Sequence, residues 1–123
     1  MSKRVLSIGQ CGPDHATITA YLGNEFDAEV VAADQWEAAE RLLDGTPVDL
    51  VLVNRKLDVD YSDGLEIIRR LKADDRFKDL PCMMITNFEE HQQAAVEVGA
   101  EHGFGKNDYG DPATREKLAP FLG

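Results

Sequence analysis

The sequence predicts a single α/β domain over residues 1–123, a parallel five-stranded sheet with helices on both faces. Three observations lead there. Short apolar runs alternate five times with segments of helical period. The middle run, Val48-Asp49-Leu50-Val51-Leu52-Val53, is almost continuously apolar, as a strand buried on both faces requires. Between the runs stand Gly, Pro, Asp and Asn, which start and stop helices.

Val5-Leu6-Ser7-Ile8 is the first strand, closed by Gly9. Gly12-Pro13-Asp14 opens the first helix, with proline in the first turn and an acid at the positive helix end. That helix is expected over Ala16 to Leu22, stopped by Gly23-Asn24. Ala28 to Ala33 is the second strand. Asp34 is the expected cap of the next helix, with Glu37 three residues on as in a capping box. The helix from Gln35 to Leu43 gathers Trp36, Ala39, Leu42 and Leu43 on one face, and Gly45 ends it. After the middle strand a polar loop runs from Arg55 to Ser62. Ser62 or Asp63 caps the third helix, where Leu65, Ile68 and Leu71 recur at helical spacing. Pro81 precedes the fourth strand, Cys82-Met83-Met84-Ile85. Asn87 is the expected cap of a fourth helix with Ala94, Ala95 and Val98, closed by Gly99. His102 to Gly105 forms a short fifth strand, and Asp111-Pro112 opens a last helix with Leu118, Phe121 and Leu122 inward.

Composition narrows the function. With 23 acidic against 13 basic residues the formal charge is -10, which repels nucleic acid and anionic lipid. Neither nucleic acid nor membrane is an expected partner. The basic start Met1-Ser2-Lys3-Arg4 precedes too short an apolar run for a signal peptide, and no run approaches membrane-spanning length. Cys11 and Cys82 fall in different elements without metal-ligand spacing and read as reduced thiols, which suits a cytoplasmic location.

In this order and spacing the pieces resemble the receiver domain of two-component response regulators. Val48 to Val53 is similar to the family's third strand. Asp63-Gly64-Leu65-Glu66 matches its next helix start, and Leu80-Pro81 and Thr86 bracket its fourth strand. Gly99-Ala100, Phe104 and Lys106 match its fifth-strand signature. The resemblance covers nearly the whole chain. It implies a flavodoxin-like sheet in the order 2-1-3-4-5, with the functional site beyond the carboxyl ends of the strands. It also implies a Mg²⁺-dependent aspartyl phosphorylation site, and there the sequence departs. The two metal-acid positions hold Gly9 and Gln10, and the phosphoacceptor position holds Asn54. Thr86 and Lys106 are retained. A carboxamide does not attack a phosphoryl group as a carboxylate does, and Mg²⁺ is held chiefly by carboxylates. No metal and no cofactor are therefore expected. Asn54 is the expected hydrogen-bond acceptor for Lys106. The loop from Asn54 to Asp63 is about two residues longer than the family pattern. Without gaps, Gly103 falls where the family usually carries its switching aromatic, and Phe104 fills that place only if the alignment shifts by one.

Other constellations fall short. Asp58, Asp60, Ser62 and Asp63 suggest a Ca²⁺ loop, but its glycine position holds Asp63 and its final glutamate position holds Arg69. Cys11 lacks the arginine of a cysteine phosphatase, since that place holds Thr17. Gly9 to Gly12 lacks the lysine of a phosphate-binding loop. His15, His91 and His102 match no triad.

The expectation is thus a stand-alone, non-enzymatic pseudo-receiver acting in trans on signalling proteins. The resemblance implies the face of the fourth helix, fifth strand and fifth helix as its contact surface, with Glu97, Phe104, Tyr109, Arg115 and Lys117 as candidates. Two alternatives remain. One is a receiver phosphorylated on a displaced acid, from Asp14, Asp58, Asp60 or Asp63. The other is a small ligand-binding or enzymatic α/β domain.

Overall fold

The computed structural model describes residues 3–123; Met1 and Ser2 lie outside the described residues. Five strands are hydrogen-bonded in parallel in the order β2-β1-β3-β4-β5. They are β1 (Arg4–Ile8), β2 (Glu29–Ala33), β3 (Leu50–Asn54), β4 (Cys82–Ile85) and β5 (Glu101–Phe104). The helices between and after them are α1 (Gly12–Phe26), α2 (Trp36–Gly45), α3 (Gly64–Ala73), α4 (Glu89–Glu97) and α5 (Pro112–Leu122).

Alternation along the inner strands divides the core in two. Leu6, Ile8, Val51, Val53, Cys82 and Met84 face one side, where α2, α3 and α4 bring Ala39, Ile67, Ile68, Leu71 and Ala95. Val5, Leu50, Leu52, Met83 and Ile85 face the other, where α1 and α5 bring Ile18, Leu22, Leu118 and Leu122. Each of these fully buried Leu or Ile side chains stabilises the fold by roughly 1.5–3 kcal/mol. Burial on both sides explains the continuous apolar reading of β3, every residue of which is buried.

Several helix boundaries differ from the sequence expectation. α1 does not stop at Gly23-Asn24 but continues to Phe26, ending at Asp27 in the left-handed region (φ 53). The extra turn lets Phe26 pack against the core. That burial exceeds the cost of a glycine inside a helix, about 1 kcal/mol. The Asp34 capping box does not form: Gln35 is the N-cap of α2, with no side-chain cap bond. Packing sets this start instead, since Trp36 meets the edge of Phe77 with ring centroids 6.4 Å apart. Asn87 does not cap α4 either; Phe88 is at the cap, and Asn87 Oδ1 accepts from the Asn107 amide at 3.3 Å. At α3 the choice resolves to Asp63, whose carboxylate accepts from the Leu65 amide at 2.9 Å. A Cβ on Gly64 would lie 2.0 Å from the Asn54 carbonyl oxygen, so only glycine lets α3 start this close to the end of β3. β3 itself begins at Leu50, after Val48 and Asp49.

The loop after β3 is tied down at several points. Leu57 turns inward and is buried. The Leu57 amide donates to Ser62, and the Asp58 amide donates to the Gly9 carbonyl at 3.0 Å. Tyr61 takes a positive φ of 59° and stays exposed.

Candidate functional site

The carboxyl ends of β1, β3, β4 and β5 open onto a cavity of about 560 Å³. Asn54, Thr86 and Lys106 line it, as the sequence expects, together with Cys11, Asp14, Leu57, Asp58, Tyr61, Phe88 and His91. Gly9 and Gln10 are not in its wall. Gly9 is buried at φ 79°, and a Cβ there would lie 2.3 Å from Leu57 Cδ2. The side-chain nitrogen and oxygen of Gln10 are buried without a hydrogen-bond partner.

Asn54 closes the end of β3 with its side chain turned to backbone. Its Nδ2 donates to the Gly9 carbonyl at 3.2 Å and to the Lys56 carbonyl at 2.7 Å. Its Oδ1 accepts from the Arg55 amide at 3.1 Å. The carboxamide therefore ties the β1 end and the following loop to β3.

Lys106 is not bonded to Asn54. Its Nζ lies 2.6 Å from Asp14 Oδ2, an ion pair between the first turn of α1 and the end of β5. Burial pushes the Asp14 carboxyl up, but hydrogen bonds from Lys106 and Cys11 and the Lys106 charge outweigh it and hold the carboxyl below its ordinary range. The lowered value means that this contribution to stability is present above the ordinary carboxylate pKa. It is lost as the pH falls through the folded-state value. In the sequence Asp14 reads as a helix-start acid, and its place in the first turn of α1 suits that role equally well.

The other acids have separate work. Asp60 accepts from the Ser62 amide and hydroxyl, which holds its carboxyl low, and Asp63 caps α3. Asp58 lines the cavity. Thr86 is buried, and its Oγ1 accepts from the Phe88 amide at 3.3 Å and lies 3.4 Å from His91 Nδ1. Burial pushes the Cys82 thiol up to about 11, as for an inert core cysteine.

No sequence signal marks Gln92, which sits in the polar run Glu89-Glu90-His91-Gln92-Gln93 yet is buried. Its Nε2 donates to the carbonyls of Met84, Thr86 and Phe104 at 3.0, 3.2 and 3.4 Å. Its Oε1 accepts from the Gly103 amide at 2.8 Å. On the surface implied as a contact face, Glu97 and Arg115 are exposed and Tyr109 and Lys117 are half-buried. Phe104 is buried, packed edge-on against Tyr109 at 5.7 Å, and is not available to a partner.

The donor set does not fit the Mg²⁺ that the resemblance implies. The Gly9 carbonyl already accepts from Asn54 and Asp58, Asn54 Oδ1 from Arg55, and Asp14 from Lys106. Among the described residues no three His, Cys, Asp or Glu side chains gather closely enough to hold an ion. Calorimetric titration is expected to show no divalent site tighter than about 1 mM; a saturable signal lost on Asp58→Asn would contradict this.

The "Response regulator receiver domain" family pattern matches residues 13–108. No curated protein sequence matches the chain. Solved structures do. The chain is similar to the chemotaxis protein CheY4 of Vibrio cholerae, at 19% identity and a TM-score of 0.76, covering 99% of each chain. It is similar to the BeF3-activated N-terminal receiver domain of Klebsiella pneumoniae RstA, at 24% identity and a TM-score of 0.79, covering 98% of each chain. It is also similar to NtrX of Brucella abortus, at 21% identity and a TM-score of 0.80, covering 99% of this chain and 27% of that one. These structures share the fold, and the family pattern spans most of the sequence: the chain belongs to the response regulator receiver domain family.

Proposed function

We propose that the chain is a receiver-family signalling module that acts through protein contacts without aspartyl phosphorylation. The observation that carries this reading is the Asn54 side chain. At the end of β3, where the family's acceptor carboxylate belongs, a carboxamide donates to two backbone carbonyls at 3.2 and 2.7 Å. A carboxylate has no proton to give either of them. The Asp14–Lys106 ion pair supports the same reading. It gives the retained lysine a protein carboxylate in place of a phosphoryl group. Gly9 and Gln10 add no charge that would hold a metal beside Asn54.

Treatment with acetyl phosphate and Mg²⁺, followed by intact-mass spectrometry, tests the reading. The expected spectrum is unchanged from that of the untreated protein. A stoichiometric phosphoryl adduct would overturn the proposal. Mapping the adduct to Asp14 or Asp58, the acids that line the cavity, would establish the displaced-acid alternative.

With phosphorylation set aside, the signal passes through surface chemistry. The α4-β5-α5 face is the proposed contact region, carried by the exposed Glu97 and Arg115 rather than by Phe104. Its partner is a signalling protein, of which the strong negative charge of this chain favours a basic surface.

A further inference from the structure

We propose that the cavity at the carboxyl ends of the strands is a binding site for a small organic anion that carries a flat aromatic ring. Three independent observations meet there. The first is size: about 560 Å³ falls within the range of cavities that enclose small organic ligands, and exceeds what a phosphoryl group fills.

The second is the pair of aromatic lips. The described residues include four large hydrophobic side chains that are exposed: Val59, Tyr61, Phe88 and Val96. Both aromatics among them, Tyr61 at 75% and Phe88 at 60% exposure, line this cavity. Leu57 and Ile85, both buried, contribute the apolar wall between them. Exposed aromatics that meet at a concave site offer faces for a planar ring.

The third is charge. In a chain of net charge -10, the cavity is lined by Arg55, Lys56 and Lys106 against Asp14 and Asp58. Among the described residues, Arg55 and Lys56 form no ion pair, which leaves both charges available to a ligand. Lys106 gives one contact to Asp14, and an ammonium has three protons. The cavity thus has one more basic than acidic side chain in its lining, within a strongly acidic chain. A carboxylate or sulfonate on an aromatic ring satisfies both halves, with its anion toward Lys106 and its ring between Tyr61 and Phe88.

The inference rests on the proposed function in one respect, that no phosphoryl group claims Lys106. The two fail separately: phosphorylation is read as an added mass, and ligand binding as a spectral shift without one.

The test is titration of the ¹⁵N-labelled protein with naphthalene-2-carboxylate, read by amide chemical shifts. Saturable shifts are expected at Asn54, Tyr61, Phe88 and Lys106, with a Kd of about 1 mM or tighter. Phe88→Ala and Tyr61→Asn should each weaken binding at least about five-fold. Both side chains are exposed, and asparagine tolerates the positive φ of position 61, so both variants should fold. The neutral 2-naphthalenemethanol should bind about ten-fold more weakly. The proposal is overturned by any of four results: no saturable shift up to about 10 mM, unchanged Kd in both variants, equal affinity for the neutral alcohol, or the same shifts from inorganic phosphate alone.

Discussion

Asn54→Asp is expected to destabilise the protein by about 2–4 kcal/mol near neutral pH instead of restoring a phosphorylation site. The substitution is nearly isosteric, so the effect is electronic. The position is 7% exposed. Nδ2, which donates to the carbonyls of Gly9 and Lys56, becomes a carboxylate oxygen facing two other oxygens. Only the Arg55 amide remains as a donor to the new carboxylate. Lys106 bonds to Asp14 and makes no hydrogen bond to the side chain at position 54. Burial and the opposed carbonyls both disfavour the anion, so the folded-state pKa of the new carboxyl is raised above its unfolded value. Between those two values the folded state binds more protons, and stability falls as the pH rises. The penalty is therefore fully present above the folded-state pKa and is relieved below the unfolded one, where the neutral acid can donate to one carbonyl. Urea unfolding at neutral pH and at about pH 5 measures this. A midpoint at neutral pH equal to that of the parent would refute it.

Adding an acid at position 9, which the family pattern suggests as a companion change, is expected to fail for a steric reason. The backbone at Gly9 is at φ 79°, and a Cβ would lie 2.3 Å from the buried Leu57 side chain. The loop that brings Leu57 there runs from the end of β3 to the Asp63 cap of α3. The inward turn of Leu57 occupies the space that a side chain at position 9 needs.

The sheet was legible in the sequence because its signal is local. Val5 to Ile8, Leu50 to Val53 and Cys82 to Ile85 are apolar runs that no helix face of ordinary amphipathic spacing produces, and their parallel order follows from the family resemblance. Helix ends were less legible. Gly23-Asn24 and Asp34 carry the stop and cap chemistry, but packing of Phe26 and Trp36 overrides both. At the candidate site, sequence position placed Asn54, Thr86 and Lys106 around one cavity. It could not show what each side chain bonds to. The partner of Lys106 is 92 positions away in the chain at Asp14, and an acid in the first turn of a helix already has a sufficient local reason to be there. Gln92 was hidden for a similar cause. A glutamine among charged neighbours reads as solvated, and only the irregular pairing of β4 with β5 gives it buried partners.

That irregularity makes Gln92 the second site of large expected effect. Met83 pairs with Glu101 and Ile85 with Phe104, so β5 carries one extra residue against β4. A bulge leaves backbone groups without ladder partners, and Gln92 supplies them: it accepts from the Gly103 amide and donates toward the carbonyls of Met84, Thr86 and Phe104. Gly103 cannot contribute a side chain of its own, since a Cβ there would lie 2.2 Å from the Met84 carbonyl oxygen. α4 is thus fastened to the strand ends by one side-chain amide. Gln92→Met keeps the length and removes the hydrogen bonds. It is expected to cost about 2–4 kcal/mol, chiefly from the buried Gly103 N–H left unpaired. Gln92→Glu keeps the acceptor for Gly103 but sets an anion against the three carbonyls. It should be the more damaging change at neutral pH and should recover in part as the pH falls and the carboxyl protonates. Denaturant unfolding gives the magnitudes, and amide exchange locates them: Gly103 and Phe104 should lose protection first, while Val51 to Val53 in β3 keep theirs until global unfolding. Unchanged exchange at Gly103 in Gln92→Met would show that the bulge holds without the amide.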